Sequence, residues 1–304
     1  MAAERSLRLV LAGAAGALLW LAGCASREYV DYQRLNRGLV VVLPGIEGRS
    51  PFNEEICRGL DEGGVAWAIE IHDWTIPMAG AMNLWDEGHN RDSAARIAQR
   101  IVNYQKAFPG RPVVMVGQSG GAGMAVWTLE AMPKDHPVDG AVLLAAALSA
   151  GYDLRPALSR SRRGIVNFYS PYDWMMLGLG TTVYGNLDGG HGSAAGRVGF
   201  DSPVGPSAYS QLFQVCWDSH LGRHTGYLGG HFDSGNSVFI ARVVAPLVLD
   251  GRWNAARLAP ARLARAAPIM QAPPHSAGTL TAQGVLAART PTAAPRSPLS
   301  VRAQ

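Results

Sequence analysis

The segment PVVMVGQSGGAGMAVWTLEAM, residues 112–132, constrains this chain more than any other stretch. Val113 to Val116 form an apolar, β-branched-rich run, as expected of a strand buried on both faces. Gly117-Gln118-Ser119-Gly120-Gly121 follows with no spacer, and Ala122 to Met132 suit a helix. A strand feeding directly into a helix leaves Ser119 on a sharp turn at the carboxyl end of the strand. There the backbone N–H groups of the helix N-terminus point at any negative charge. The small residues Gly120, Gly121, Ala122 and Gly123 are what such a turn requires, because larger side chains beside a strained serine would clash. In a chain with 36 glycines among 304 residues the spacing G-x-S-x-G alone carries little weight. The strand before it and the helix after it make it informative.

The rest of the chain repeats that alternation. Gly38–Leu43, Val65–Ile71, Val138–Ala147, Ile165–Tyr169 and Gln211–Trp217 read as further strands. Residues 52–62, Asp92–Phe108 and 236–249 read as helices, with Pro246 an obstacle in the second half of the last. The pattern predicts an α/β fold over residues 38–250, a mostly parallel central sheet with helices on both faces. Two stretches break the rhythm. Residues 177–209 are rich in glycine and polar residues, an insertion and candidate lid. Residues 251–304 are dominated by Ala, Pro and Arg and read as a disordered tail, with a helical start conceivable at 253–266.

The net charge of +4 does not point to a polyanion partner once its distribution is considered. Beyond Asp250 there are seven arginines and no acidic residue, which leaves residues 1–250 at −3. The basicity sits in the tail, and nothing in the body suggests nucleic acid. The N-terminus reads as an export signal: Arg5 and Arg8, then an uncharged run Leu9–Leu21 too short to span a bilayer. It ends in Leu21-Ala22-Gly23-Cys24, which resembles the bacterial lipobox. That resemblance implies removal of residues 1–23, lipidation of Cys24, residues 24–37 as a linker, and a membrane-anchored protein of the cell envelope. Ala25 after the cysteine implies the outer membrane where one exists. Cys57 and Cys216 are then the remaining thiols, read as two separate groups, with a bridge the alternative that export permits.

With its strand and helix, the 117–121 motif resembles the nucleophile elbow of the α/β-hydrolase family, and the resemblance covers about residues 38–250. It implies Ser119 as nucleophile, then an acid, then a histidine, in that order along the chain. Asp173, in Ser170-Pro171-Tyr172-Asp173 after the strand IVNFY, is the expected acid; Asp188, Asp201 and Asp218 lie in less regular surroundings. His231, in Gly229-Gly230-His231-Phe232 ahead of the last helix, is the expected base over His191, His220 and His224. The oxyanion hole is expected from the N–H groups of Gly120 and Ile46, with Gly45 the alternative to Ile46. Glu47 beside them is unusual, since its carboxylate opposes an oxyanion unless it turns away or binds a substrate group. Trp74, Tyr172 and Trp174 are candidate substrate contacts.

The chemistry implied is hydrolysis of a carboxylic ester or related acyl substrate through an acyl-enzyme, with no metal and no cofactor. A peptidase or amidase of the same fold, or a non-catalytic envelope-binding lipoprotein, are the alternatives.

Overall fold

A computed structural model describes residues 29–173, 185–202, 207–259 and 263. Its centre is a six-stranded, all-parallel sheet of β1 (Leu39–Leu43), β2 (Ala68–Ile71), β3 (Val113–Gln118), β4 (Gly140–Leu144), β5 (Ile165–Tyr169) and β6 (Leu212–Cys216), in the order β2-β1-β3-β4-β5-β6. The two-residue period of the strands divides the core into two layers. Leu39, Val41, Leu43, Val113 and Met115 pack against the long helices α2 (Glu87–Ala107) and α3 (Gly120–Ala131). Val40, Val42, Val114 and Val116 face the other way, onto α1 (Pro51–Glu62) and the closing helix at 237–249. Both faces are covered, which is why these strands carry unbroken β-branched runs.

After β1 the chain moves outward to β2; after β3, on the other side of β1, it moves the opposite way. The loops leaving β1 and β3 therefore diverge and open a crevice at the carboxyl ends of those two strands, the usual place for a site in an open parallel sheet.

Several expectations shift in detail. The helix α2 begins at Glu87 rather than Asp92, because Asp86 caps it by accepting the His89 N–H at 2.9 Å, and its first turn carries no apolar periodicity. Strand β4 ends at Leu144 rather than Ala147, since Ala145 adopts φ +49° and turns the chain out of the sheet. The closing helix accommodates Pro246 through a π turn, Ile240–Val244, in which the Ala245 N–H reaches back to the Ile240 carbonyl. A proline supplies no N–H, and the wider turn absorbs the change of register.

The domain also extends past both expected ends. Tyr29 is buried and its carbonyl accepts the Ile69 N–H at 3.2 Å, and Tyr104 Oη donates to the Leu35 carbonyl at 2.7 Å. Residues 29–37 are thus packed on the body rather than a free linker. At the other end Trp253, Leu258 and Leu263 are buried, so the segment read as disordered begins with chain that belongs to the core. Residues 264–304, and 1–28 with Cys24, lie outside the described residues. Of the candidate lid, residues 185–202 are a packed wall. Leu187, Ala194 and Phe200 are buried, and backbone bonds join Leu187 to Ala147 and Gly196 to Ala146 and Ser170. Among the described residues no helix is long and apolar enough to cross a membrane, and Cys57 and Cys216 are free thiols. Burial pushes the Cys57 thiol up to about 12.

Candidate active site

Ser119 stands at the crevice, between the last residue of β3 and the first of α3. Its backbone is in a region that side chains rarely adopt, φ +57°, ψ −121°. The turn is held by the Ser119 N–H donating to the Leu144 carbonyl at 2.9 Å. Its own carbonyl accepts from the N–H groups of Ala122 and Ala147, both at 3.1 Å. The glycines two residues away on either side are needed for space. A Cβ on Gly121 would lie 2.1 Å from the Leu43 carbonyl oxygen and 2.3 Å from that of Pro44; one on Gly117 would lie 2.3 Å from the Gly121 oxygen. The elbow is thus pressed directly against the loop leaving β1.

Two more elements converge on the serine. Asp173 follows β5, and His231 opens a short 3-10 turn, Phe232–Gly235, after β6. His231 Nδ1 lies 2.6 Å from Asp173 Oδ2, and Nε2 lies 2.9 Å from Ser119 Oγ. A carboxylate only accepts, so the proton sits on Nδ1 and Nε2 is left to accept the serine hydroxyl. All three side chains are buried, Ser119 most accessible at 8%. His191, His220 and His224 are exposed and make no bond to the serine. Three supports were not evident from the sequence. Ser234 Oγ donates to the His231 carbonyl at 2.8 Å, and Gln118 Nε2 approaches the same oxygen at 3.4 Å. Tyr227 lies buried nearby, and its hydroxyl is held protonated by burial first and by the Asp173 and Asp233 carboxylates next. A serine three residues after the histidine is the signal a turn-minded reading could have used.

Of the expected oxyanion donors, Gly120 and Ile46 lie side by side: a Cβ on Gly120 would meet Ile46 Cγ2 at 3.1 Å. Neither N–H donates to a protein acceptor among the described residues. Gly45 faces the Glu47 carboxylate, whose Oε2 lies 2.3 Å from where a Cβ would stand, with Gln118 Oε1 next at 3.1 Å. Glu47 folds back over that loop: Oε2 covers Gly45, while Oε1 accepts the Ser50 hydroxyl at 3.4 Å. Trp74 is corrected from substrate contact to prop: it is buried, its indole N–H donates to the Pro44 carbonyl at 2.7 Å, and its ring backs Gly120. Tyr172 is exposed and packs edge-on against Trp217 at 4.9 Å. Trp174 lies outside the described residues. No group of three or more His, Cys, Asp or Glu with metal-holding geometry occurs among the described residues. A hollow of about 370 Å³ opens at the opposite end of the sheet, lined in part by Gln105, Arg111, His136 and Arg162; it contains no nucleophile paired with a base.

No family model and no curated protein matches the chain. Among solved structures it is similar to lipase B of Aspergillus fumigatus, at 14% identity over 79% of this chain, with TM-score 0.43. It spans 58% of that lipase. It is also similar to a cutinase-like protein from Cryptococcus sp. (14% identity, 71% of this chain, 97% of that one, TM-score 0.39). A third is dienelactone hydrolase from Anabaena variabilis ATCC 29413 (15%, 69% and 83%, 0.39). On its own strand order and turn geometry, this chain has the α/β-hydrolase fold.

Proposed function

We propose that the chain is a serine hydrolase that cleaves a carboxylic ester or related acyl substrate. The observation that carries this reading is the unbroken chain of contacts from Asp173 through His231 to Ser119, 2.6 and 2.9 Å, ending on a serine whose backbone is held in strain. An alcohol hydroxyl is a poor nucleophile at neutral pH and needs a base within hydrogen-bond reach. His231 Nε2 takes the proton as Ser119 Oγ attacks the acyl carbon. The new oxyanion is met by the N–H groups of Ile46 and Gly120, in a crevice from which most water is excluded. Collapse expels the alcohol, which leaves with the proton from His231, and the acyl group stays on Ser119. Water then attacks the ester with His231 again as base, returning free acid and Ser119. Asp173 keeps the imidazole in the required tautomer and offsets its positive charge.

The test is turnover of p-nitrophenyl butyrate by the purified domain and by Ser119→Ala. The expected loss of kcat is about a thousandfold or more. Turnover by the variant at the wild-type rate would remove Ser119 from the mechanism.

We also propose that the enzyme works at the cell envelope, tethered by a lipidated Cys24. The support is the Leu-Ala-Gly-Cys sequence after a signal-like core. Four residues, Ala25 to Glu28, separate Cys24 from the docked Tyr29, and the five Cα–Cα steps span at most about 18 Å. Such a tether holds the domain close to the bilayer. Cys24→Ser should move the protein out of the membrane fraction and abolish incorporation of labelled palmitate; membrane retention without label would contradict the tether.

A further inference from the structure

The segment from Trp74 to Trp85, between β2 and α2, contains no charged side chain. Trp74 and Leu84 are buried, but four of its large apolar residues are turned to solvent: Ile76 is 40% exposed, Met78 fully, Met82 61% and Trp85 60%. Met78 also has φ +63°, a conformation that side chains other than glycine's avoid. A fully exposed methionine on a strained backbone buries no apolar surface in return for the strain. An exposed cluster of this kind marks a surface used for binding.

The same segment is bolted to the oxyanion loop. The Trp74 indole N–H donates to the Pro44 carbonyl at 2.7 Å, and Asn83 Nδ2 donates to the Ile46 carbonyl at 3.0 Å. Asn83 is buried. Its Oδ1 accepts the Ile76 N–H at 2.9 Å, and its own carbonyl accepts Asn90 Nδ2 at 2.7 Å. One amide side chain therefore ties the exposed apolar loop, through Ile76, to Ile46, whose neighbour across the elbow is Gly120. The apolar surface and the N–H expected to meet the oxyanion are parts of one hydrogen-bonded unit.

We propose that the exposed side chains of Ile76, Met78, Met82 and Trp85 bind the apolar acyl chain of the substrate, and that Asn83 is the positioning residue that couples this loop to the Ile46 N–H. The inference rests on Ser119 being the acyl-transfer nucleophile. The ligand class is a medium to long unbranched acyl group. No cation or carboxylate on the loop would recognise a charged one, and thioether and indole surfaces adapt to flexible hydrocarbon.

The experiment compares p-nitrophenyl acetate with p-nitrophenyl octanoate, below its aggregation limit, on wild type, the double variant Met78→Ser/Met82→Ser, and Asn83→Asp. Both methionines are exposed, so the double variant should fold. It is expected to lower the octanoate-to-acetate ratio of kcat/KM tenfold or more. In Asn83→Asp the oxygen facing Ile76 is kept, while a second carboxylate oxygen replaces the donor to the Ile46 carbonyl. That variant should lose kcat on both esters by tenfold or more, with KM for acetate within about twofold; a carboxylate facing buried carbonyls also lowers the melting temperature, so rates are read well below it on protein shown folded by circular dichroism. An unchanged ratio in the double variant overturns the acyl-binding role. A rise of KM at constant kcat in Asn83→Asp overturns the positioning role. Absence of turnover of both esters by wild type overturns the reading of Ser119 itself, a distinct result.

Discussion

A serine at φ +57° costs on the order of 1–3 kcal/mol relative to a relaxed residue. The protein holds it there by three backbone hydrogen bonds and by the absence of side chains at Gly117 and Gly121. Gly121 is the sharper case, since the atoms a Cβ would strike are the main-chain oxygens of Leu43 and Pro44, which no rotamer change can move. Gly121→Ala is therefore expected to lower unfolding stability by about 3 kcal/mol, the upper end for overpacking, as measured by urea denaturation. Wild-type stability in that variant would show that the elbow and the β1 loop are less tightly joined than described. Ser119, Asp173 and His231 were legible in the sequence because their chemistry resides in residue type and their place in strand ends. Asn83 was not legible: an asparagine in a glycine-containing loop reads as a turn residue, and its importance lies in partners seven and 37 residues away. Trp74 misled for the related reason that an aromatic near a strand end looks the same whether it lines a pocket or supports a turn.

Among the elements, β2 is an edge strand with one polar residue, Glu70, which is only 13% exposed at its side chain. Burial alone would raise its carboxyl pKa. The hydrogen bond from His72 at 3.0 Å and the charge of Arg100 on α2, at 2.5 Å, outweigh that and hold it below its ordinary 4.5. The sign follows: the depressed folded value stabilises the protein at pH values above 4.5, and that contribution is lost as pH falls through the folded value. Glu70→Gln should thus flatten the decline in unfolding free energy between pH 5 and pH 3, measured by urea denaturation at each pH. An equally steep decline in the variant would place the acid sensitivity elsewhere. Strands β1, β3 and β4 were readable because strands buried on both faces need continuous apolar runs, and β2, β5 and β6 were readable although Glu70, Asn167 and Gln214 interrupt theirs. The start of α2 was not, because its first turn depends on the Asp86 cap rather than on apolar spacing. The π turn before Pro246 was not either; the sequence showed the obstacle but not which carbonyl would be passed over.

At the scale of the whole molecule, the domain is closed by chain from both flanks, Tyr29 on one side and Trp253 on the other. Trp253 lies flat enough on the start of β4 that a Cβ at Gly140 would fall 2.3 Å from its ring, and its indole N–H donates to the Leu247 carbonyl at 2.9 Å. Composition hid this, because one tryptophan in an Ala/Pro/Arg-rich stretch does not change the average on which a disordered reading rests. Trp253→Ala should cost about 3–5 kcal/mol of stability, as for other buried tryptophans, and lower the melting temperature; a change below 1 kcal/mol would mean that the domain ends near Asp250 after all.

The central claim is that the crevice between the β1 and β3 loops carries an activated serine. A fluorophosphonate reacts covalently with a serine only where a base has made it nucleophilic, and intact-mass spectrometry followed by peptide mapping locates the adduct. The account predicts one adduct per chain, on the peptide containing Ser119, absent from Ser119→Ala and strongly slowed in His231→Ala. An adduct that persists in Ser119→Ala, or no adduct on the folded wild-type chain, would contradict it.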